Sequence, residues 1–253
     1  MDLELSGKRA LVTGASKGIG RATARLLATE GCDVLMVSRD ASSLEAAAAE
    51  IRAGSDRSVD SFAADMSDPA SIAALVEGCG RIDILVNNAG AIPPGDLLSL
   101  SDQSWRTGWE TKVFGYIGLT RALYGRLKTQ RGVVVNIIGS AGETPSPGYI
   151  AGSTGNAALM MFTRSFARTA RADGVRVVGI NPGPVATERF EMLIRARAEN
   201  ELGNAERWRE LTANMPFGRA AAPEEIAAAV AFLASPRSAY TSGSIMTIDG
   251  AMG

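Results

Sequence analysis

Short apolar runs alternate with longer stretches of helical composition from one end of the chain to the other. Runs at 9–13, 33–38, 58–63, 82–87, 132–138, 175–180 and 244–248 read as seven strands. Between them lie Ala-rich segments at 19–30, 41–53 and 68–78, a long stretch at 101–129, and further stretches at 152–172 and 223–234. These have the composition and period of helices. Such alternation is the pattern of βαβ units wound around a parallel sheet. It predicts an α/β fold with one doubly wound Rossmann-type domain over 1–253, seven parallel strands in the order 3-2-1-4-5-6-7, and helices on both faces. Gly31 and Gly54 stand where helix C-caps are expected, and Asp68-Pro69 reads as an N-cap followed by an N1 proline. Gly/Pro-rich stretches at 139–148 and 181–184 follow strands, at the edge where folds of this kind bind ligands. Residues 187–213 form a charged insertion with Arg195, Arg197, Glu199 and Glu201 in helical spacing. It reads either as a solvated helical pair or as a lid over a substrate.

Composition narrows the classes. With 46% hydrophobic and 21% charged residues, and 26 basic against 27 acidic side chains, the chain is expected to be a soluble globular protein with no nucleic-acid partner. The N-terminal sequence has an acidic start and only a short apolar run, so neither a signal peptide nor a membrane span is expected. Cys32 and Cys79 lack a metal-ligand spacing and read as core residues of a cytoplasmic protein. Histidine is absent, so no metal site is expected, and acid–base work falls to Tyr, Lys, Ser, Asp or Glu.

The first strand runs directly into Thr13-Gly14-Ala15-Ser16-Lys17-Gly18-Ile19-Gly20 and then a helix. That context lets the backbone approach a pyrophosphate at a helix N-terminus. Asn87-Asn88-Ala89-Gly90 closes the fourth strand and Asn181-Pro182-Gly183 the sixth. Together these motifs resemble the short-chain dehydrogenase/reductase family over essentially the whole chain. The resemblance implies a nicotinamide dinucleotide held by Gly14, Ser16, Lys17, Gly18, Ile19 and Gly20. It also implies that Asp65 and Met66 lie beside the adenine, that Asn88, Ala89 and Gly90 line the cleft, and that Pro182, Gly183, Val185 and Thr187 flank the nicotinamide. An acid at the end of the second strand would repel a 2′-phosphate, and this chain has Ser38 there, followed by Arg39. With Lys17, that gives two cations for the phosphate, so NADP(H) is expected in preference to NAD(H). By the same resemblance the chain forms a homotetramer or homodimer through its long helices and the 244–253 segment.

The family carries Ser, then Tyr thirteen positions later, then Lys four further on, with an Asn on the preceding long helix. Aligned without a gap, those positions hold Gly139, Gly152, Asn156 and Lys112. A slip of one residue restores Ser140 but puts Ser153 and Ala157 at the other two positions. Losing such a proton relay forfeits about 10²- to 10⁴-fold in rate. Substitutes can be named, each with a plainer alternative. Tyr149 could reach the vacated site or could simply pack at a helix entry. Lys112 could send its ammonium toward Asn156 or remain a surface lysine. Ser140, Glu143 and Ser153 lie on or beside the same loop, and Glu143 could act as acid or base if desolvated. Trp105 and Trp109, one turn apart, read as core or interface anchors. Three functions follow: an NADP-dependent oxidoreductase with a rearranged site acting on a small or medium organic carbonyl, alcohol or imine; a non-redox lyase or hydrolase; or a nucleotide-binding protein without catalysis.

Overall fold

The computed structural model describes residues 1–252. Its seven strands are β1 (Arg9–Thr13), β2 (Asp33–Ser38), β3 (Val59–Ala63), β4 (Ile84–Asn87), β5 (Val133–Ile137), β6 (Arg176–Pro182) and β7 (Ile245–Ile248). They form one sheet in the order β3-β2-β1-β4-β5-β6-β7, every neighbouring pair parallel. Parallel strands covered on both faces need apolar residues at successive positions, because side chains alternate between faces. Along β1, Ala10 and Val12 therefore enter one core layer and Leu11 the other.

The first layer receives α1 (Gly18–Thr29), α2 (Ala41–Ala53) and α9 (Pro223–Ala234), through residues such as Leu27, Leu44 and Val230. The second receives α3 (Pro69–Gly78), α5 (Gly115–Gln130) and α6 (Ile150–Ala170), through Leu75, Leu123 and Ala167. Asp68 caps α3 by accepting from the amides of Ala70 and Ser71, with Pro69 at the first helical position. Gly54 is the C-cap residue of α2, whereas α1 closes on Glu30, one residue before Gly31. Cys32 and Cys79 are buried, and burial pushes the Cys32 thiol up to about 12.

The expected helical run at 101–129 is helical from Asp102 to Gln130, with a π turn inside it. It divides into α4 (Asp102–Trp109), a π-helical turn at Glu110–Phe114, and α5. Near its end, β6 continues through Asn181 and Pro182, which were expected to lie beyond the strand. α6 begins at Ile150, so Tyr149 is its N-cap residue. The 187–213 segment contains α7 (Glu188–Leu202) and the short α8 (Trp208–Thr212), laced by Arg195–Glu191 and Arg197–Glu201 pairs.

Buried amides tie the carboxyl ends of the central strands to the helices behind them. Asn87 donates to Thr120 Oγ1 at 3.0 Å and to Asn136 Oδ1 at 2.9 Å, and Asn136 donates to Thr163 Oγ1 at 3.0 Å. These donated bonds favour one helix placement, because a shift would leave the buried amide donors unpaired, although Asn87 Oδ1 itself has no partner. Among the described residues no helix is long and apolar enough to cross a membrane.

Candidate functional site

The turn after β1 and the loop after β4 are joined through Thr13. Its hydroxyl accepts from the amides of Asn88 (2.9 Å) and Ala89 (3.0 Å), while Asn88 Nδ2 donates to the carbonyls of Thr13 (3.0 Å) and Gly14 (3.2 Å). Gly14 has φ +65°, in the left-handed region that glycine adopts without strain. At Gly20 a β-carbon would stand 2.3 Å from the Gly14 carbonyl oxygen, so the helix can approach the turn this closely only without a side chain. α1 opens at Lys17 with no side-chain cap and no acid in its first turn, leaving a positive helix end available to an anion.

Ser16, Gly18 and Ile19 are half-buried along this turn, and a β-carbon on Gly18 would meet the Thr187 methyl at 3.1 Å. The expected residues of the first, fourth and sixth strand ends are thus brought along one edge of the sheet. Val185 pairs with Ala221 and Gly183 packs on Asp249, which fixes the chain leaving Pro182. Met66 is buried beside Asp65. Partial burial opposes ionisation of Asp65, but hydrogen bonds from Ser67 and the charge of Arg39 hold its carboxyl below the usual range. Ser38 and the exposed Arg39 therefore lie near Asp65, as the strand ends require. The Lys17 ammonium lies 3.3 Å from Glu188 at the start of α7, so it joins the glycine turn to the 187–213 segment.

A second group gathers at the end of β5. Lys112, in the π turn, is only 9% exposed and donates to the carbonyl of Ile138 at 2.5 Å. It is a buried lysine, and the plainer surface alternative does not hold. Burial, reinforced by the like charge of Arg189, brings its ammonium down to about 8. Tyr116, one turn later, donates to Ile137 O at 2.9 Å. Gly139 has φ +144°, and a β-carbon there would stand 2.7 Å from Asn156 Nδ2. Lys112 and Asn156 thus approach consecutive residues of one bend from two different helices. Asn156 Oδ1 is buried without a hydrogen-bond partner.

The ring of Tyr149 lies over Gly152. A β-carbon on Gly152 would be 2.0 Å from its Cε1 and Cζ. Backbone bonds from Gly95 N to Gly148 O (2.8 Å) and from Ile150 N to Gly95 O (3.2 Å) hold the tyrosine's segment against the loop after β4. Trp109 Nε1 adds a bond to Ala151 O at 2.9 Å, so this tryptophan anchors the start of α6. Burial raises the Tyr149 phenol above its ordinary value, with Arg189 opposing.

Three further expected participants, Glu143, Ser153 and Ser140, lie on or beside the loop after β5. Glu143 is exposed and accepts from Thr247 Oγ1 at 2.6 Å, so the desolvation its acid–base role requires is lacking. Ser153 is buried, with its hydroxyl accepting from Ser146 N at 3.2 Å, a bond that shapes the loop. Ser140 opens a 3₁₀ turn whose amides at Glu143 and Thr144 bond to its carbonyl. Arg189, whose Nη2 donates to Ile92 O at 2.8 Å, was not anticipated. Its position beside the motif residue Thr187 was the only sequence signal for it.

A cavity of about 700 Å³ lies under α7 and α8, lined by Phe190, Trp208 and Ala220 among others. Neither Lys112 nor Tyr149 lines it, so it is space beneath the 187–213 segment and not the place where these groups meet.

A doubly wound parallel sheet with a glycine turn feeding an open helix end at its carboxyl edge defines a Rossmann-type protein. Residues 8–198 match the short chain dehydrogenase family, and the chain belongs to that family. It is 34% identical over 258 residues to the 3-oxoacyl-[acyl-carrier-protein] reductase FabG of Vibrio harveyi, covering 99% of each chain. It is 35% identical over 250 residues to the galactitol 2-dehydrogenase (L-tagatose-forming) of Cereibacter sphaeroides, covering 97% of this chain and 95% of that one. L-sorbose reductase from Gluconobacter frateurii, solved with NADPH and L-sorbose, superposes with a TM-score of 0.93 at 31% identity, covering 100% of this chain and 98% of that one. An NADPH-bound short chain oxidoreductase from Pseudomonas aeruginosa PAO1, described as containing an atypical catalytic center, superposes with a TM-score of 0.88 at 32% identity, covering 97% and 96%.

Proposed function

We propose that this protein is an NADP-dependent oxidoreductase with a non-standard active site, acting on a small or medium organic carbonyl, alcohol or imine. The observation that carries the reading is the Tyr149 ring over Gly152, the position at which the family's tyrosine is expected. The phenol is supplied from one helical turn earlier, and the glycine leaves room for it. Tyr149 then holds the proton exchanged with the substrate oxygen, and its raised pKa keeps that proton in place at neutral pH. Lys112 brings a cation to the Ile138–Gly139 bend from the long helix, in place of the family lysine.

The residues fit a dinucleotide. The Gly14–Gly20 approach leaves space for a pyrophosphate on the open end of α1, and the orphaned Asn156 Oδ1 suits a hydroxyl donor. When bound, the nicotinamide supplies hydride transfer, and the protein supplies orientation. Ser38 and Arg39 favour a 2′-phosphate; two similar solved proteins hold NADPH and another holds NADH, so the preference rests on these two residues. The 187–213 segment acts as the lid, latched by Arg189 to Ile92 and by Glu188 to Lys17. Exposed Phe114 on the long-helix side and Met246 on β7 support homo-oligomerisation through those elements. The test is NADPH oxidation with a panel of aldehydes, ketones and imines, in the parent and in Tyr149→Phe. Turnover in the parent that is lost in the variant is expected; full activity in Tyr149→Phe would sink the assignment.

A further inference from the structure

The first turn of α6 carries Tyr149 at its start and is held from another helix by one side chain. Trp109, the last residue of α4, donates its indole N–H to the carbonyl of Ala151 at 2.9 Å. Among the described residues, no other helix sends a side-chain hydrogen bond to residues 149–155.

The seat of the indole is shaped by glycines. Gly155 lies one turn beyond Ala151 on α6, and a β-carbon there would stand 3.2 Å from Trp109 Nε1 and 3.1 Å from Ile92 Cδ1. On α4, a β-carbon at Gly108 would meet Ile92 Cγ2 at 3.2 Å. Ile92 is fully buried, so α4 and α6 close on it over two glycines. Glycine weakens a helix relative to alanine, so close approach and not helix stability accounts for both. On its other side Trp109 packs with Trp105 and Phe114, with ring centroids 6.5 Å away in each case.

Tyr149 has less to hold it. As the N-cap residue it makes no side-chain capping bond. Its carbonyl accepts from Ser153 N at 2.8 Å, and its ring lies over Gly152, so the phenol moves with the first turn of the helix. Helix ends open readily, because their first amides lack partners within the helix.

We propose that Trp109 is the positioning residue for the Tyr149 phenol: by holding Ala151, its indole N–H keeps the first turn of α6 closed and the ring over Gly152. The inference rests on the reading of Tyr149 as the proton donor, and Trp109 acts only through the turn it holds.

Trp109→Phe removes the N–H and keeps a ring in the seat. Hydrogen exchange of the full chain, read by mass spectrometry, is expected to quicken by about three- to tenfold over 149–156 and to stay unchanged in the central strands. The phenol reports as well. Burial raises it in the parent, so in Trp109→Phe it should titrate at lower pH, followed by absorbance with Tyr149→Phe as the reference that identifies it. In NADPH oxidation, kcat should fall by about the same factor as exchange quickens, at unchanged NADPH affinity, and the same substitution placed in Tyr149→Phe should leave kcat where that variant has it. Gly155→Ala crowds the indole from α6 and is expected to act in the same direction, so the result does not depend on the folding of one variant. Unaltered exchange over 149–156, or a phenol that titrates as in the parent, overturns the proposal. So does a loss of kcat equally large in the Tyr149→Phe background, which would make Trp109 a general packing residue. Absence of turnover in the parent, or full activity in Tyr149→Phe, would instead overturn the reading of Tyr149 as proton donor, while exchange and phenol titration still decide whether Trp109 positions the ring.

Discussion

The ring of Tyr149 takes the space that any side chain on Gly152 would need, with Cε1 and Cζ 2.0 Å from the position of a β-carbon there. Gly152→Ala is therefore expected to destabilise the fold by about 1–3 kcal/mol, the usual cost of overpacking. With the ring removed in Tyr149→Ala, the same change should stabilise by about 1 kcal/mol, because alanine is the better helix former. Urea unfolding of the four proteins in a double-mutant cycle checks the reversal of sign.

Tyr149→Phe keeps the ring and deletes only the hydroxyl. It is expected to lower kcat by about 10²- to 10⁴-fold with little change in nucleotide affinity. Since burial raises the phenol pKa, reduction by the parent should persist to a higher pH than an ordinary tyrosine would allow. A pH–rate profile in the reductive direction, set beside NADPH titrations, measures both effects.

Lys112 titrates at about 8 in the folded protein, against 10.5 for an ordinary lysine. Between those values the unfolded chain binds more protons, so stability rises with pH across that window. Below about pH 8 the penalty is present in full, on the order of 3 kcal/mol at about 1.4 kcal/mol per unit. Lys112→Met should therefore gain more stability over the parent at pH 7 than near pH 10.5. Denaturant titrations at the two pH values give the difference, and an unchanged difference would mean that Lys112 titrates normally.

Arg39 is exposed near Asp65, while Lys17 is paired with Glu188. Arg39→Ala should thus remove most of the preference for NADPH over NADH. Glu188→Gln should strengthen NADPH binding by releasing Lys17, and only modestly, because exposed ion pairs contribute little. Fluorescence titration of both nucleotides against the parent and each variant decides this, and equal affinities in the parent would refute the cofactor preference.

The amino-acid sequence by itself determined the seven strands, their place between helices and the glycine turn. Strands buried on both faces must be apolar at successive positions, and caps such as Asp68-Pro69 act within a few residues. The same local signals predicted the helical run at 101–129 without the π turn at Glu110–Phe114 and missed the first residue of α6. Both depend on what the helices pack against, as where the start of α5 meets Met66 at Gly115. Only the tertiary structure buried Lys112, laid Tyr149 over Gly152, turned Glu143 toward Thr247 and brought Arg189 to Ile92, 97 positions earlier in the chain. Local periodicity sets which element a residue joins, whereas the place where a long side chain ends is set by elements that folding brings together from distant parts of the chain.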